Sequence, residues 1–333
     1  MERNNPENCR ENPKALQELD LSLNPLGAGA VRALPELLAQ CPALALQELD
    51  LSLNPLGAGA VRALPELLAR CPALALQELD LSLNPLGAGA ARALPELLAR
   101  CPALALQELD LSLNPLGAGA VRALPELLAR CPALLTLRLR GCGLGRPFPI
   151  PEVTPLRTLS LSHNPLGRAG LGRLLGTLPA RSLRRLELAS VTGHPRGDSP
   201  GDSPGHGGDI GGDIGGDIGG DIGTELASYL QQAGCALCHL SLAGNHLRDG
   251  DIDELARCLP RCPSLLSLDL SANPGLGPGT FRKLLEGLEQ RGRGLELLSL
   301  AGCGLRDLEP DGAARSKIRE LRLPGRRLWN GLA

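Results

Sequence analysis

The sequence predicts a curved α/β solenoid, a leucine-rich-repeat horseshoe with a parallel sheet lining its inner face and helices on its outer face. Two observations predict it. Residues 16–135 are one 30-residue unit written four times, and each unit opens on L-x-x-L-x-L-x-x-N-x-L, the signature of leucine-rich repeats. Leu16-Gln-Glu-Leu19-Asp-Leu21-Ser-Leu23-Asn24-Pro-Leu26-Gly27 returns at Leu46, Leu76 and Leu106. The copies differ only at Gln40, where the others have Arg, at Ala91, where the others have Val, and at Leu135, where the others have Ala.

The pattern then diverges but continues. Leu134 to Leu144 is a fifth repeat with Cys142 in the Asn slot, and Leu156 to Leu166 a sixth with Asn164. Leu183-x-x-Leu186-x-Leu188 opens a seventh, Leu237 to Leu247 (Asn245) is the eighth, and Leu265 to Leu276 (Asn273) the ninth, stretched by Gly275. Leu295 to Leu305 with Cys303 is the tenth, and Ile318-x-x-Leu321-x-Leu323 a degraded eleventh. Leucines at positions one, four, six and eleven should point inward from a short strand and its turn. Asn or Cys at position nine should satisfy turn backbone that would otherwise be buried without partners.

Helices are expected between strands. Val31, Leu34, Leu37 and Leu38 form a one-sided apolar stripe, with Pro35 predicting a kink or a start near Leu34. Asp251 to Glu254 resembles a capping box opening a helix to Leu259, and Thr280 reads as the cap of a helix carrying Phe281, Leu284, Leu285 and Leu288. From Gly193 to Gly223 the rhythm breaks into GHPRGDSPGDSPGHGG and DIGG repeats. Glycine at that density cannot offset ordering entropy, so a disordered insert is expected before a helix near Thr224–Gln232. The expected organisation is a polar segment 1–14, repeats one to seven over 15–192, the insert 193–223, repeats eight to eleven over 224–328, and a tail 329–333.

Composition bounds the function. Of 333 residues 43% are apolar, yet there are one Trp, one Tyr and two Phe, so the core must be leucine. Net charge is −2, which gives no bulk field toward nucleic acid or membrane. No apolar run reaches the ~18 residues of a membrane span, and Met1 to Lys14 lacks a signal-peptide core. Eleven cysteines is an odd number, and Cys41, Cys71, Cys101 and Cys131 share one repeat position, which predicts a buried thiol ladder. The chain reads as intracellular and reduced, in nucleus or cytosol.

The candidate sites lie on the strands. Residues alternating with the buried leucines face the concave side, which puts Glu18, Glu48, Glu78 and Glu108 in one column and Asp20, Asp50, Asp80 and Asp110 in another. Like charges ~5 Å apart repel by roughly 0.8 kcal/mol per pair even at the dielectric of water. A Lys/Arg-rich protein segment would relieve that cost; against this, charged faces are usually simply solvated. Further on the sign changes, with Arg138, Arg140, Arg185 and Arg322 as weaker, basic partner-binding candidates. Arg315, Lys317, Arg319, Arg326 and Arg327 make the C-terminal end basic. No aromatic platform accompanies them, which argues against direct DNA contact.

Other chemistries find little support. Cys235-x-x-Cys238 and Cys258-x-x-x-Cys262 suggest zinc, but Cys238 precedes the strand leucine Leu240 and Cys262 repeats the Cys-Pro position of Cys41, so packing explains them. The DIGG aspartates lack the phase of calcium-binding repeats. No P-loop, G-x-S-x-G or H-E-x-x-H occurs. Neither a cofactor, a metal nor a catalytic residue is expected.

The words GCALCHLSLAGNHLRDGDIDELARCLPRCPSLLSLDLSANP, from Gly234 onward, with LDLSLNPLG, LLTLRLRGCGLG and LRTLSLSHNPLG before them, resemble the C-terminal leucine-rich region of the Tonsoku-like family, from about Leu16 to Leu328. The resemblance implies a noncatalytic nuclear scaffold that acts with the Mms-twenty-two-like protein at damaged replication forks and supports homologous recombination. Members carry tetratricopeptide and ankyrin repeats upstream, the ankyrins reading histones. Neither is in this sequence, so the chain is expected to be a fragment and histone reading does not carry over. The near-identical copies and the DIGG tract depart from the family pattern. The alternative is an NLR-type or ribonuclease-inhibitor-like module in innate immunity or ligand inhibition.

Overall fold

The computed structural model describes residues 16–39, 46–61, 76–90, 92–93, 106–193, 222–305 and 312–329. Among the described residues, twelve strands form one sheet in strict chain order. They are β1 (Glu18–Asp20), β2 (Glu48–Asp50), β3 (Glu78–Asp80), β4 (Glu108–Asp110), β5 (Thr136–Arg138), β6 (Thr158–Ser160), β7 (Arg185–Glu187), β8 (His239–Ser241), β9 (Ser267–Asp269), β10 (Leu295–Ser299), β11 (Ile318–Leu323) and β12 (Arg326–Trp329). The first eleven pair in parallel and the twelfth turns back antiparallel on β11.

Equal repeats dictate equal register. Leu19, Leu49, Leu79 and Leu109 align across the first four strands, then Leu137, Leu159, Leu186, Leu240, Leu268, Leu298 and Leu321. From Leu46 on, the leucines at positions one, four, six and eleven are buried in one continuous core, among them Leu46, Leu49, Leu51 and Leu56. Each short strand can bury its apolar edge only because a neighbour stacks on it.

The outer layer comprises α1 (Ala28–Ala39), α2 (Ala58–Val61), α3 (Gly117–Arg130), α4 (Gly167–Leu175), α5 (Ile222–Leu230), α6 (Asp249–Cys258), α7 (Pro278–Glu289) and α8 (Gly312–Lys317). The first helix spans Pro35 within Ala28–Ala39, and Pro125 likewise stands inside α3. The predicted start near Leu34 is therefore six residues late. The buried stripe Ala120, Ala123, Leu124, Leu127 and Leu128 holds the helix to the core despite the backbone donor that proline lacks.

Two predicted caps are also corrected. Helix α6 begins at Asp249, and Asp251 reaches back to accept the Arg248 N–H at 2.8 Å. Thr280 lies in the first turn of α7 behind Gly277 and Pro278, and its hydroxyl donates to the Asp249 carboxylate. Helix α5 starts at Ile222 and ends at Leu230, each two residues before the expected bounds.

The predicted insert falls on residues outside those described, apart from Gly193, Ile222 and Gly223. Strand β7 nonetheless pairs directly with β8, Leu186 opposite Leu240, so the stack is continuous across it. The 1–14 segment and Cys41, Cys71 and Cys101 of the predicted thiol ladder also lie outside the described residues. Cys131 is buried, and burial pushes its thiol up to about 12.

Strand β12 has no counterpart in the repeat pattern. Pro324 and Gly325, the latter at φ +67°, reverse the chain so that Arg326 and Arg327 lie opposite Leu323 and Arg322. Two residues read as a basic end are thus the closing strand of the sheet, and Trp329, read as tail, is its last residue.

Candidate functional site

The asparagine ladder positions the inner face. Asn54, Asn84, Asn114, Asn164, Asn245 and Asn273 are all buried. Asn114 is representative: its amide donates to the carbonyls of Leu81 at 2.8 Å and Leu111 at 3.0 Å, and its oxygen accepts from Leu86 N–H. Each asparagine thereby ties its own turn to the preceding one. Cys142 and Cys303 do half this work, donating Sγ–H to Leu111 O at 3.1 Å and Leu270 O at 3.2 Å.

In the turn that follows each strand, the eighth position of the repeat lies in the left-handed region. Leu23, Leu53, Leu83 and Leu113 occupy it in the four copies, and His163, Ser190 and Ala272 in later repeats. Gly141, Gly244 and Gly302 fill it in the fifth, eighth and tenth repeats, where glycine adopts φ > 0 without strain.

Both carboxylate columns form as expected. Glu18, Glu48, Glu78 and Glu108 are in register, as are Asp20, Asp50, Asp80 and Asp110. The two columns do different jobs. Each aspartate accepts the N–H of the serine two residues on, in bonds of 2.9, 2.8, 2.7 and 2.8 Å, so the aspartates hold the strand-to-turn corner. The glutamates are free of that duty, and Glu18, Glu48 and Glu78 are exposed.

Electrostatics follows position. The Ser22 hydrogen bonds hold Asp20 below the usual carboxylate range. Loss of hydration raises Asp80, against the pull of Ser82. Glu48 is raised by loss of hydration and then by the negative charges of Glu78, Glu18, Asp50 and Asp20. Repulsion along the column is thus felt in its middle.

The basic candidates are mostly neutralised within the sheet, which pairwise contacts reveal and sequence order does not. Arg138 pairs with Glu108 at 3.1 Å and closes the glutamate column. Arg185 pairs with Glu187 at 3.6 Å and Arg322 with Glu320 at 2.8 Å. Arg140 donates to the ring nitrogen Nε2 of His163 at 3.3 Å. It lines a shallow hollow of about 320 Å³ together with Arg185, Glu187, His239 and Asp269. Desolvation and the nearby Arg185 lower the His239 imidazole. Lys317 is spent on the carbonyls of Glu289 and Arg291.

The cysteines set aside as packing are in the core or at its edge. Cys258 and Cys262 are buried with sulfurs 3.7 Å apart, and Cys262 donates to Cys258 O at 3.1 Å. Cys235 and Cys238 are half-buried. No helix among the described residues is long and apolar enough to cross a membrane.

A family model described as Leucine Rich repeat matches residues 14–34, 46–64, 76–94, 106–124 and 154–175. Among curated proteins, the Tonsoku-like protein of Bos taurus is 43% identical over 206 residues, covering 58% of this chain and 13% of that protein. Over that stretch, the chain is a homologue of Tonsoku-like protein. The Mus musculus protein is 42% identical over 180 residues and the Danio rerio protein 38% over 178, covering 51% and 50% of this chain. The matched stretch spans 11–13% of these relatives' length. An internalin from Listeria monocytogenes superposes with a TM-score of 0.39 at 14% identity, over 95% of this chain and 88% of that one.

Proposed function

We propose that this chain is a noncatalytic scaffold that binds protein partners along the inner face of its sheet. The first four strands take a Lys/Arg-rich segment. The observation that carries this reading is the glutamate column: four glutamates in register, three of them exposed, of which only Glu108 has an ion-pair partner among the described residues. A cationic segment lying across the strands would remove the repulsion that raises Glu48.

Homology to Tonsoku-like protein supports extending the reading to a nuclear complex for replication-fork repair and homologous recombination, with the Mms-twenty-two-like protein as partner. The same relatives favour this over the immune-sensor or ligand-inhibitor alternative.

The direct test uses the full chain and a Lys/Arg-rich peptide at low ionic strength. Because the aspartates hold turns, the clean variant is Glu18→Gln with Glu48→Gln and Glu78→Gln. It should weaken binding at least about tenfold, and the wild-type affinity should fall as salt rises. Unchanged affinity in the variant would sink the proposal. Affinity purification from nuclear extract then tests the named partner.

A further inference from the structure

On the turns that follow the four acid-bearing strands runs a second ladder that the basic-segment reading leaves unused. Leu23, Leu53, Leu83 and Leu113 are 74, 42, 42 and 46% exposed. All four hold φ between 54° and 58°, a region that disfavours branched side chains. Later repeats put His, Ser, Ala or Gly in this slot. Among the described residues, bulky apolar side chains are thus both exposed and strained only in the turns after the four strands that carry the acid columns. An exposed proline (Pro25, Pro55, Pro85, Pro115) follows each leucine by two residues and widens the ridge.

The ridge is held in register by backbone. Leu23, Leu53 and Leu83 donate to the carbonyls of Ser52, Ser82 and Ser112 at 3.1, 3.1 and 2.9 Å, and Leu113 to that of Arg140. Rungs on adjacent strands lie about 4.8 Å apart, so four span roughly 14 Å. Three turns of α-helix cover roughly 16 Å, whereas six residues of extended chain cover roughly 20 Å. A helix with one apolar residue per turn keeps step with the leucines; an extended segment does not.

We propose that the four N-terminal repeats dock a basic amphipathic helix of a protein partner. Its apolar stripe lies on the leucine ridge and its Lys/Arg stripe faces the glutamate column. The inference rests on the basic-partner reading and adds the partner's secondary structure and its apolar face.

The probe is a Leu/Lys peptide of about four helical turns, patterned with leucine on one face, against a scrambled peptide of the same composition. Both are titrated into the full chain by fluorescence anisotropy. The patterned peptide should bind about tenfold tighter or more and gain helicity on mixing. Leu53→Ser with Leu83→Ser and Leu113→Ser should erase that advantage. Serine is compatible with this backbone, since Ser190 adopts it at φ 55°, and thermal unfolding of the variant checks the fold. Equal binding of the two peptides, or a serine variant that keeps the full advantage, overturns the helix-docking inference. If the glutamate variants still abolish that binding, the basic-segment reading survives alone. Binding of neither peptide overturns both.

Discussion

Replacing Asn164 with alanine should remove one of the two most heavily bonded side chains of the inner ladder, Asn273 being the other. Asn164 is fully buried. Its amide donates to Leu139 O at 2.7 Å and Leu161 O at 2.8 Å, and its oxygen accepts from the N–H groups of Cys142 at 3.0 Å and Leu144 at 2.9 Å. A buried polar group left without a partner costs about 1–3 kcal/mol. Four such groups at the low end give a loss of about 4 kcal/mol. Asn164→Cys should fall in between, since Cys142 and Cys303 show that a thiol supplies a donor there but not the two-fold acceptor. Urea unfolding followed by circular dichroism measures the loss. Amide exchange at Cys142 and Leu144 locates it, because repeats contact only their neighbours. A variant within about 1 kcal/mol of wild type, with exchange at those two amides unchanged, would refute the view that the ladder is held by its asparagines.

Other perturbations test the face and the outer layer. Arg138→Glu removes the residue that closes the glutamate column. It should tighten binding of a Lys/Arg-rich peptide several-fold at low salt, with stability changed by less than about 1 kcal/mol because the pair is only half-buried; weaker binding would contradict the column model. Gly287→Ala on α7 would place a methyl 2.3 Å from the carbonyl oxygen of Ala256 on α6. Despite alanine's better helix propensity, a loss of about 2 kcal/mol is expected from overpacking, read as a lowered Tm. Glu48→Gln probes the charge cost through pH. The Glu48 carboxyl is raised above its ordinary 4.5 by desolvation and its acidic neighbours, so the folded state favours the protonated form. Stability from this group is intact below the ordinary value and declines as pH rises through the raised one. The variant should therefore melt above wild type at neutral pH and level with it in acid. A wild type that gains on the variant as pH rises would reverse the sign and refute the repulsion.

Much of this could be read from residue order because a solenoid converts sequence period into spatial register. Once Leu19, Leu49, Leu79 and Leu109 occupy equivalent places, Glu18 to Glu108 and Asp20 to Asp110 must align as well. Sequence could not rank the two columns. That Asp50 is tied to Ser52 N–H while Glu48 is free depends on how the chain bends after the strand. Leu23 and its counterparts were equally opaque, since a leucine among leucines reads as core until the left-handed turn aims it outward.

The repeating leucines and asparagines alone determined the handed-down architecture: eleven parallel strands in chain order, apolar edge inward, turns sewn together by buried amides. Tertiary structure decided what a period cannot encode. Arg138 meets Glu108 from the strand next door, α1 and α3 continue through their prolines, and β12 folds back where the repeat decays. Period governs contacts every repeat makes alike; contacts made once depend on distances between particular side chains, which only the assembled stack supplies.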